Sequence, residues 1–471
     1  MATAVLEQQP QTLENKVPFF ANYLDYRADP LQFWIDVGQA GPLVEIQLGP
    51  AQKFWVVTDA DLFRQILLTK SKNFPRDRQI REGNAIDNGR TVFNAKTYKE
   101  WRWRRRLLQP GFHKRELNKF AETIVTETAQ MADELPQNEP INLADMTKKL
   151  TMRIICQTMF SASLEDTDVL QRAFEQTSYF GFRRMSSIMN VPTWLPTKLN
   201  LETKAAVKDK YRILGNIVDE RLASSKPNDD VPTSWDMLDM LIAAELDDED
   251  DMPGAERSFG RDDLIAEMSS LVFAGHETTA MTLLWLLNVV ATNPLIRQKL
   301  QAEIDTVLGD RSATLEDLDK MPYTHQVIQE TLRYYPSVYV TLREAKEDDE
   351  LTADGVTYPV PAGRQFIMNI RALHHSEKYW SHADEFDPER FSAENSHRRH
   401  KHAYQPFISG PKKCIGDQFA MMEMRLVVPT LLQRLTFEPV STHPAHQVKE
   451  AAGFVMETEE AVMMKVTRKK K

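Results

Sequence analysis

The sequence predicts a mainly α-helical fold with small β-sheets. Three observations carry this expectation. Helical hydrophobic periodicity runs from about Leu117 to Leu332, and within it the stretch Asp263–Thr292 is apolar on every side, as a buried helix should be. After Pro336 the pattern changes to short strands and loops, with Gly355, Pro359, Pro361 and Gly363 as turn signals. The chain has 471 residues, 42% of them hydrophobic, enough to bury a large core. A chain this long usually divides into domains, yet no segment has the length and composition of a linker; the strongest candidate, Leu246–Gly254, is a short acidic loop before the long helix.

The elements follow in chain order. Alternation over Pro42–Thr58 predicts two strands, Leu43–Leu48 and Phe54–Thr58, around Gly49-Pro50. The helical periodicity is broken near Val191–Pro196 and by the loop Lys226–Thr233. A helix from about Thr324 to Tyr334 stops before Pro336, and Gln418–Leu432 is helical again. No internal repeat is visible.

The most informative segment is Phe407-Ile408-Ser409-Gly410-Pro411-Lys412-Lys413-Cys414-Ile415-Gly416. A free thiol has a pKa near ~8.5, so a functional thiolate needs a cation, a metal or a helix N-terminus beside it. Lys412, Lys413 and the helix from Gln418 supply two of these, and the frame suits a metal-bound thiolate; a buried loop cysteine is the bland alternative. The second segment is Ala274-Gly275-His276-Glu277-Thr278-Thr279, in which an acid and an alcohol interrupt an apolar helix. Such a pair is costly there unless it does something; the alternative is a kinked core helix whose Thr bonds back to its own carbonyls.

The frame F-x-x-G-x-x-x-C-x-G resembles the haem-binding loop of the cytochrome P450 family. The resemblance implies that Cys414 is the proximal thiolate ligand of haem iron. Gly410 and Gly416 would let the backbone turn and approach the porphyrin, and Phe407 would pack near the thiolate. Lys412 stands where the family usually has Arg; it would meet a haem propionate as a point charge. By the same resemblance, Glu277 and Thr278 would deliver the two protons that O–O cleavage requires, with Ala274 and Gly275 leaving room for oxygen and substrate. Glu330 and Arg333 match the family's E-x-x-R and Arg390 its P-E-R-F segment, implying a buried structural triad. Trp101 and Arg105 match W-x-x-x-R, one helical turn apart, and Arg343 a later basic position; all three would meet haem propionates. His374 is a possible propionate neighbour, and His375, on the opposite face of a strand, would face solvent.

The resemblance spans Trp101 to Gly416 in order and implies the single-domain cytochrome P450 fold over residues 1–471, with residues 1–15 flexible and 466–471 a basic tail. It implies an enzyme that inserts one oxygen atom of O2 into a lipophilic small molecule such as a fatty acid, terpenoid or steroid. The cofactor would be heme b, with NAD(P)H acting indirectly. The pocket would be lined by Phe74–Phe93, Tyr179–Trp194, Phe273, Ala274, Ser337–Thr341 and Gly453–Met456. No flavin or iron–sulfur segment is fused, so a separate donor, a ferredoxin or flavodoxin with its reductase, is expected. Lys99 and the remaining arginines of Trp101–Arg106, with Lys412 and Lys413, would form a basic proximal face for it; a solvated helix face is the alternative. A net charge of −10 argues against nucleic acid. Cys156 and Cys414 are too few for a disulfide framework, and Cys156 reads as core. Residues 1–10 carry neither signal peptide nor transmembrane anchor, so a soluble, bacterial-type, cytoplasmic protein is expected. A peroxygenase or isomerase that does not use O2, and a non-catalytic haem sensor or carrier, are the competing readings.

Overall fold

The computed structural model describes residues 6–13, 22–49, 52–77, 90–161, 166–187, 190–224, 236–244, 258–440 and 448–469. The expected loops Lys226–Thr233 and Leu246–Gly254 lie outside the described residues, as do residues 78–89 of the Phe74–Phe93 segment and the last two residues of the basic tail. Strands, numbered along the chain, are β1 (Leu6–Glu7), β2 (Gln11–Thr12), β3 (Leu43–Gly49), β4 (Gln52–Val57), β5 (Pro140–Asn142), β6 (Val340–Glu344), β7 (Asp349–Ala353), β8 (Val356–Val360), β9 (Gln365–Asn369), β10 (Leu435–Pro439), β11 (Glu450–Ala452), β12 (Met456–Thr458) and β13 (Met463–Arg468). The longer helices are α1 (Pro30–Ala40), α2 (Tyr98–Leu108), α3 (Ala121–Glu134), α4 (Leu143–Phe160), α5 (Thr167–Met185), α6 (Lys198–Ser224), α7 (Arg261–Thr292), α8 (Pro294–Leu308), α9 (Pro322–Tyr334) and α10 (Asp417–Arg434). The mainly helical expectation with small sheets is met.

The chain forms two compact units, each built from separate stretches. The first comprises Met1–Ile80, Gln326–Cys414 and Val448–Glu460. It holds a five-stranded sheet of order β2-β3-β4-β9-β6, a three-stranded sheet β1-β8-β7 and the hairpin β11-β12. The expected strand pair is present and antiparallel, with Leu43 opposite Val57 and Ile46 opposite Phe54. In its core, Trp55 and Phe74 each meet Phe366 edge to face at ring separations of 5.7 and 5.5 Å. His374 and His375 correct an expectation here: they end a short helix, Ile370–His374, rather than lying on a strand, because the Asn369 side chain caps that helix by accepting from Ala372 N–H.

The second unit comprises Arg81–His325, Ile415–Gln447 and Ala461–Lys471 and contains most of the long helices with the sheet β10-β13-β5. Local chemistry sets the helix ends. Thr97 caps α2 by accepting from Glu100 N–H, Asn142 caps α4, and Asn293 followed by Pro294 starts α8. The long helix α7 has Asp262 and Asp263 in its first turn, suited to the positive end of the dipole. It is buried along nearly its whole length except at Phe273, Ala274 and Gly275, where it opens. The expected helix at Gln418–Leu432 extends two residues further to Arg434 and passes through Pro429. Among the described residues no single helix is long and apolar enough to cross a membrane; α7 and α8 would qualify only together, and they are bent by 105°.

Candidate functional site

In the first unit, Cys414 ends a tightly wound loop. Ile408 N–H donates to Gln405 O at 3.2 Å, Lys413 N–H to Gly410 O at 3.0 Å and Cys414 N–H to Phe407 O at 3.0 Å. Two residues hold left-handed backbone, Ile408 at φ 59° and Gly410 at φ 80°. The first is strained, since a β-branched side chain rarely adopts this region. Gly410 is obligatory, because a Cβ there would lie 1.9 Å from the carbonyl oxygen of Leu67. The loop presents Cys414 as an exposed thiol, whereas Cys156 is buried and its thiol is pushed up to about 12 by desolvation. Phe407 and Lys412 are half-buried.

Behind this loop the expected triad is assembled. Arg333 grips Glu330 with two hydrogen bonds, Nε to Oε2 at 2.7 Å and Nη2 to Oε1 at 2.8 Å, both side chains being fully buried. Arg390 Nε lies 3.4 Å from Glu330 Oε1, and Asp387 N–H donates to that same oxygen at 2.8 Å. The remaining donors of Arg333 reach the carbonyls of His374, Ala383 and Glu385, and those of Arg390 reach Ser381, His382 and Glu385. His374 completes the path to the loop. Its Nε2 accepts from Gln405 N–H at 2.8 Å, so the proton sits on Nδ1, facing Arg333 O at 3.2 Å. Both ring nitrogens are thus used by the protein, which corrects the expectation of a propionate neighbour. His375 is corrected too: its side chain is buried, with Nε2 3.0 Å from Tyr334 O.

Arg343 lies on β6 at 2% exposure, bonded to the Thr341 hydroxyl and the Leu342 carbonyl. Among the described residues no carboxylate pairs with it. Burial, with Arg76 nearby, pulls its guanidinium down to about 9. A buried guanidinium that meets no acid among the described residues suits an anionic ligand.

The second unit contains the acid and alcohol of α7. Glu277 is buried and accepts from the Ser178 hydroxyl of α5 at 2.8 Å; Thr278 is half-buried and bonds back to Ala274 O at 2.8 Å. A Cβ at Gly275 would come within 2.8 Å of Ile155 Cδ1, so glycine here also lets α4 pack close. Ala274 is the exposed member of the pair. Gly416 caps α10 at φ −90°, and a Cβ there would make only ordinary contact, 3.8 Å from the Phe112 ring, so no atom of the described residues requires glycine at that position.

On α2, Trp101 is buried and Arg105 is half-buried, with Nε donating to Gln109 Oε1 at 3.1 Å. Arg102 and Arg106 are exposed, as a basic face requires, but Arg104 is not. It is buried, donating to Glu267 at 2.9 Å and Asp263 at 2.7 Å. Glu267, itself fully buried, also accepts from Val92 N–H at 3.0 Å. Arg104 therefore ties α2 and the segment before it to α7 and leaves the basic face. Sequence reasoning missed this pairing and the Ser178–Glu277 bond, because neither partner is marked by spacing; only an unexplained acid in an apolar helix hinted at each. Cys414, Phe407, Lys412, Arg343, Glu330, Arg333 and Arg390 thus belong to the first unit, and Trp101, Arg105, Ala274, Gly275, Glu277, Thr278 and Gly416 to the second.

The family model described as Cytochrome P450 matches residues 10–464. The chain belongs to the cytochrome P450 family. Among its relatives is a cyclooctat-9-en-7-ol 5-monooxygenase from Streptomyces melanosporofaciens, 28% identical over 436 residues, covering 91% of this chain and 90% of the relative. Cytochrome P450 4X1 from Mus musculus is 30% identical over 421 residues, covering 84% and 79%. The crystal structure of the cytochrome P450 CYP102L1 shares the fold at a TM-score of 0.84 and 21% identity, over 98% of this chain and 100% of that one. This P450 is a monooxygenase, an oxidoreductase of a family that uses haem iron, O2 and electrons derived from NAD(P)H. Its residues fit that cofactor. An exposed thiol on a hydrogen-bonded loop suits haem iron as a donor, and the buried Arg343, which meets no carboxylate among the described residues, suits a haem propionate.

Proposed function

We propose that this P450 inserts one oxygen atom of O2 into a lipophilic small molecule, by hydroxylation or epoxidation, with electrons from a separate ferredoxin or flavodoxin and its reductase. The whole chain would act as one functional domain in the cytoplasm, a compartment consistent with two cysteines that form no disulfide. Heme b would be held by Cys414 through its thiolate, with Arg343, Trp101, Arg105 and Lys412 toward the propionates. Bound there, a thiolate-ligated haem supplies O2 activation and oxygen insertion.

The chain's own residues would do the rest. Glu330, Arg333 and Arg390 keep the cysteine loop in place. Glu277 would take up and release a proton in a buried site, and Thr278 offers a hydroxyl half open to its surroundings; together they suit delivery of protons from carboxyl to hydroxyl. Ala274, exposed on an otherwise buried helix, leaves space beside that hydroxyl. Arg102, Arg106, Lys99, Lys412 and Lys413 would attract an acidic electron donor. The Streptomyces relative's name supports the lipophilic substrate class and selects no member of it. The single observation that carries the reading is the exposed Cys414 thiol on its glycine-dependent loop within a chain-long family match.

The test is the visible spectrum of the dithionite-reduced protein with and without carbon monoxide, for wild type and Cys414→Ser. A strongly red-shifted Soret band that disappears in the variant is expected. A protein without haem, or a band unchanged by the substitution, would refute the reading. Substrate-dependent NADPH consumption with surrogate redox partners then separates an enzyme from a sensor.

A further inference from the structure

We infer that Ser178 is a positioning residue for Glu277, holding its carboxylate against α5 and so making the acid of the Glu277–Thr278 pair responsive to the position of that helix. The inference rests on the proton-delivery reading above and adds to it a residue that no motif marks.

The geometry is specific. Ser178 Oγ lies 2.8 Å from Glu277 Oε2, and both side chains are buried at 5% exposure. A hydroxyl donating to a carboxylate away from water makes a strong, directional contact. A serine inside a helix ordinarily bonds back to a carbonyl one turn earlier. Its neighbour Thr177 does so, donating to Ala173 O and Phe174 O at 3.0 Å. Ser178 instead turns its hydroxyl across to α7. A second contact between the same helices lies one turn earlier on each: the rings of Phe174 and Phe273 stack with centroids 6.5 Å apart. The two contacts together fix the register of α5 on α7 at the point where α7 opens at Ala274.

The bond also links the acid to α5. The Thr278 hydroxyl donates to Ala274 O, and a Glu277 oxygen accepts from Ser178. A shift of α5 would change the Ser178–Glu277 contact without any change in α7. Tyr179, the next residue on α5, is 51% exposed. A molecule pressing on that face of α5 would thereby alter the hold on Glu277.

The experiment compares haem-loaded wild type with Ser178→Ala, Ser178→Thr, Glu277→Ala and the double variant Ser178→Ala/Glu277→Ala. Ser178→Ala should at least double the share of electrons lost as hydrogen peroxide. It should also move the acidic limb of the pH–rate profile upward, because the carboxylate loses a donor that stabilises its charged form. Ser178→Thr should restore both. In thermal unfolding, which does not depend on turnover, the loss of Tm from Ser178→Ala should shrink markedly in the Glu277→Ala background. Unchanged peroxide yield and pH limb in Ser178→Ala, or equal Tm losses with and without Glu277, would overturn the inference. If Glu277→Ala itself leaves coupling intact, the proton-delivery reading fails and the functional part of this inference with it, whereas a non-additive Tm would still support the hold of Ser178 on the acid.

Discussion

The backbone N–H of Gln405 donates to Nε2 of His374 at 2.8 Å, and through that ring the buried ion pair Glu330–Arg333 reaches the loop that ends at Cys414. Burial holds His374 well below the ordinary histidine range, so the ring is neutral and can accept. The cysteine loop is thus positioned by a relay from Glu330 and Arg333 through His374 to Gln405, the first three of them distant from Cys414 in sequence.

Arg333→Lys keeps a cation and discards the fork. Two bonds to Glu330 and three to carbonyls collapse to what one ammonium can make, and a fully buried carboxylate is left underpaired. A loss of about 3–5 kcal/mol is expected. Urea unfolding should show it, and haem absorbance per protein should fall close to that of apoprotein.

Gly410→Ala is expected to cost about 3 kcal/mol or more, since it combines a φ of 80° with a Cβ 1.9 Å from a backbone oxygen that cannot rotate away. Gly416→Ala, at an ordinary φ with only van der Waals contact, should cost well under half as much. Comparing the two melting temperatures checks the assignment of strain to the first glycine.

Arg343→Met should have opposite effects on the two forms of the protein. Apoprotein loses a buried charge with no acid beside it among the described residues, so its stability should be unchanged or rise by ~1–4 kcal/mol. Haem retention, measured by transfer to apomyoglobin, should weaken about 10–100-fold if the guanidinium meets a propionate. Destabilised apoprotein with normal haem retention would contradict both the missing-anion argument and the propionate assignment.

Thr278→Ala removes a hydroxyl that donates to Ala274 O one turn earlier in its own helix, and folding and haem content should change little, by less than about 1 kcal/mol. Product per NADPH should fall severalfold while hydrogen peroxide rises. Coupling equal to wild type would exclude Thr278 from proton delivery.

His276 sets a pH dependence. Burial, then Lys148, lowers its imidazole to about 3, and its Nε2 is buried without a hydrogen-bond partner among the described residues. The unfolded chain binds a proton at this site below about pH 6.5 and the folded chain does not. Its contribution is therefore complete above pH 6.5 and is lost as pH falls toward 3, by about 1.4 kcal/mol per unit. Between pH 7.5 and pH 5 wild type should lose about 2 kcal/mol more than His276→Leu, in which all other titrating groups are shared. Denaturation midpoints at the two pH values measure the difference.

The sequence by itself determined what depends on neighbours along the chain. Periodicity placed the mainly helical body, alternation placed β3 and β4, and Pro336 ended α9 near its observed limit. The ten-residue frame around Cys414 and the spacings in E-x-x-R and W-x-x-x-R marked most of the site, because loop geometry and helix faces are encoded over a few residues. Only the tertiary structure decided which partners these residues meet. Arg104 reads like its neighbours in a basic run, yet it is buried against Glu267 from 163 residues away. Gly275 serves the packing of Ile155 on another helix. His374 belongs to the scaffold because Gln405 donates to it, and Glu277 is held by a serine 99 residues upstream. The physical reason is common to all four: the fate of a polar or small side chain is set by desolvation and by a partner's exact placement, and both arise only when distant segments pack.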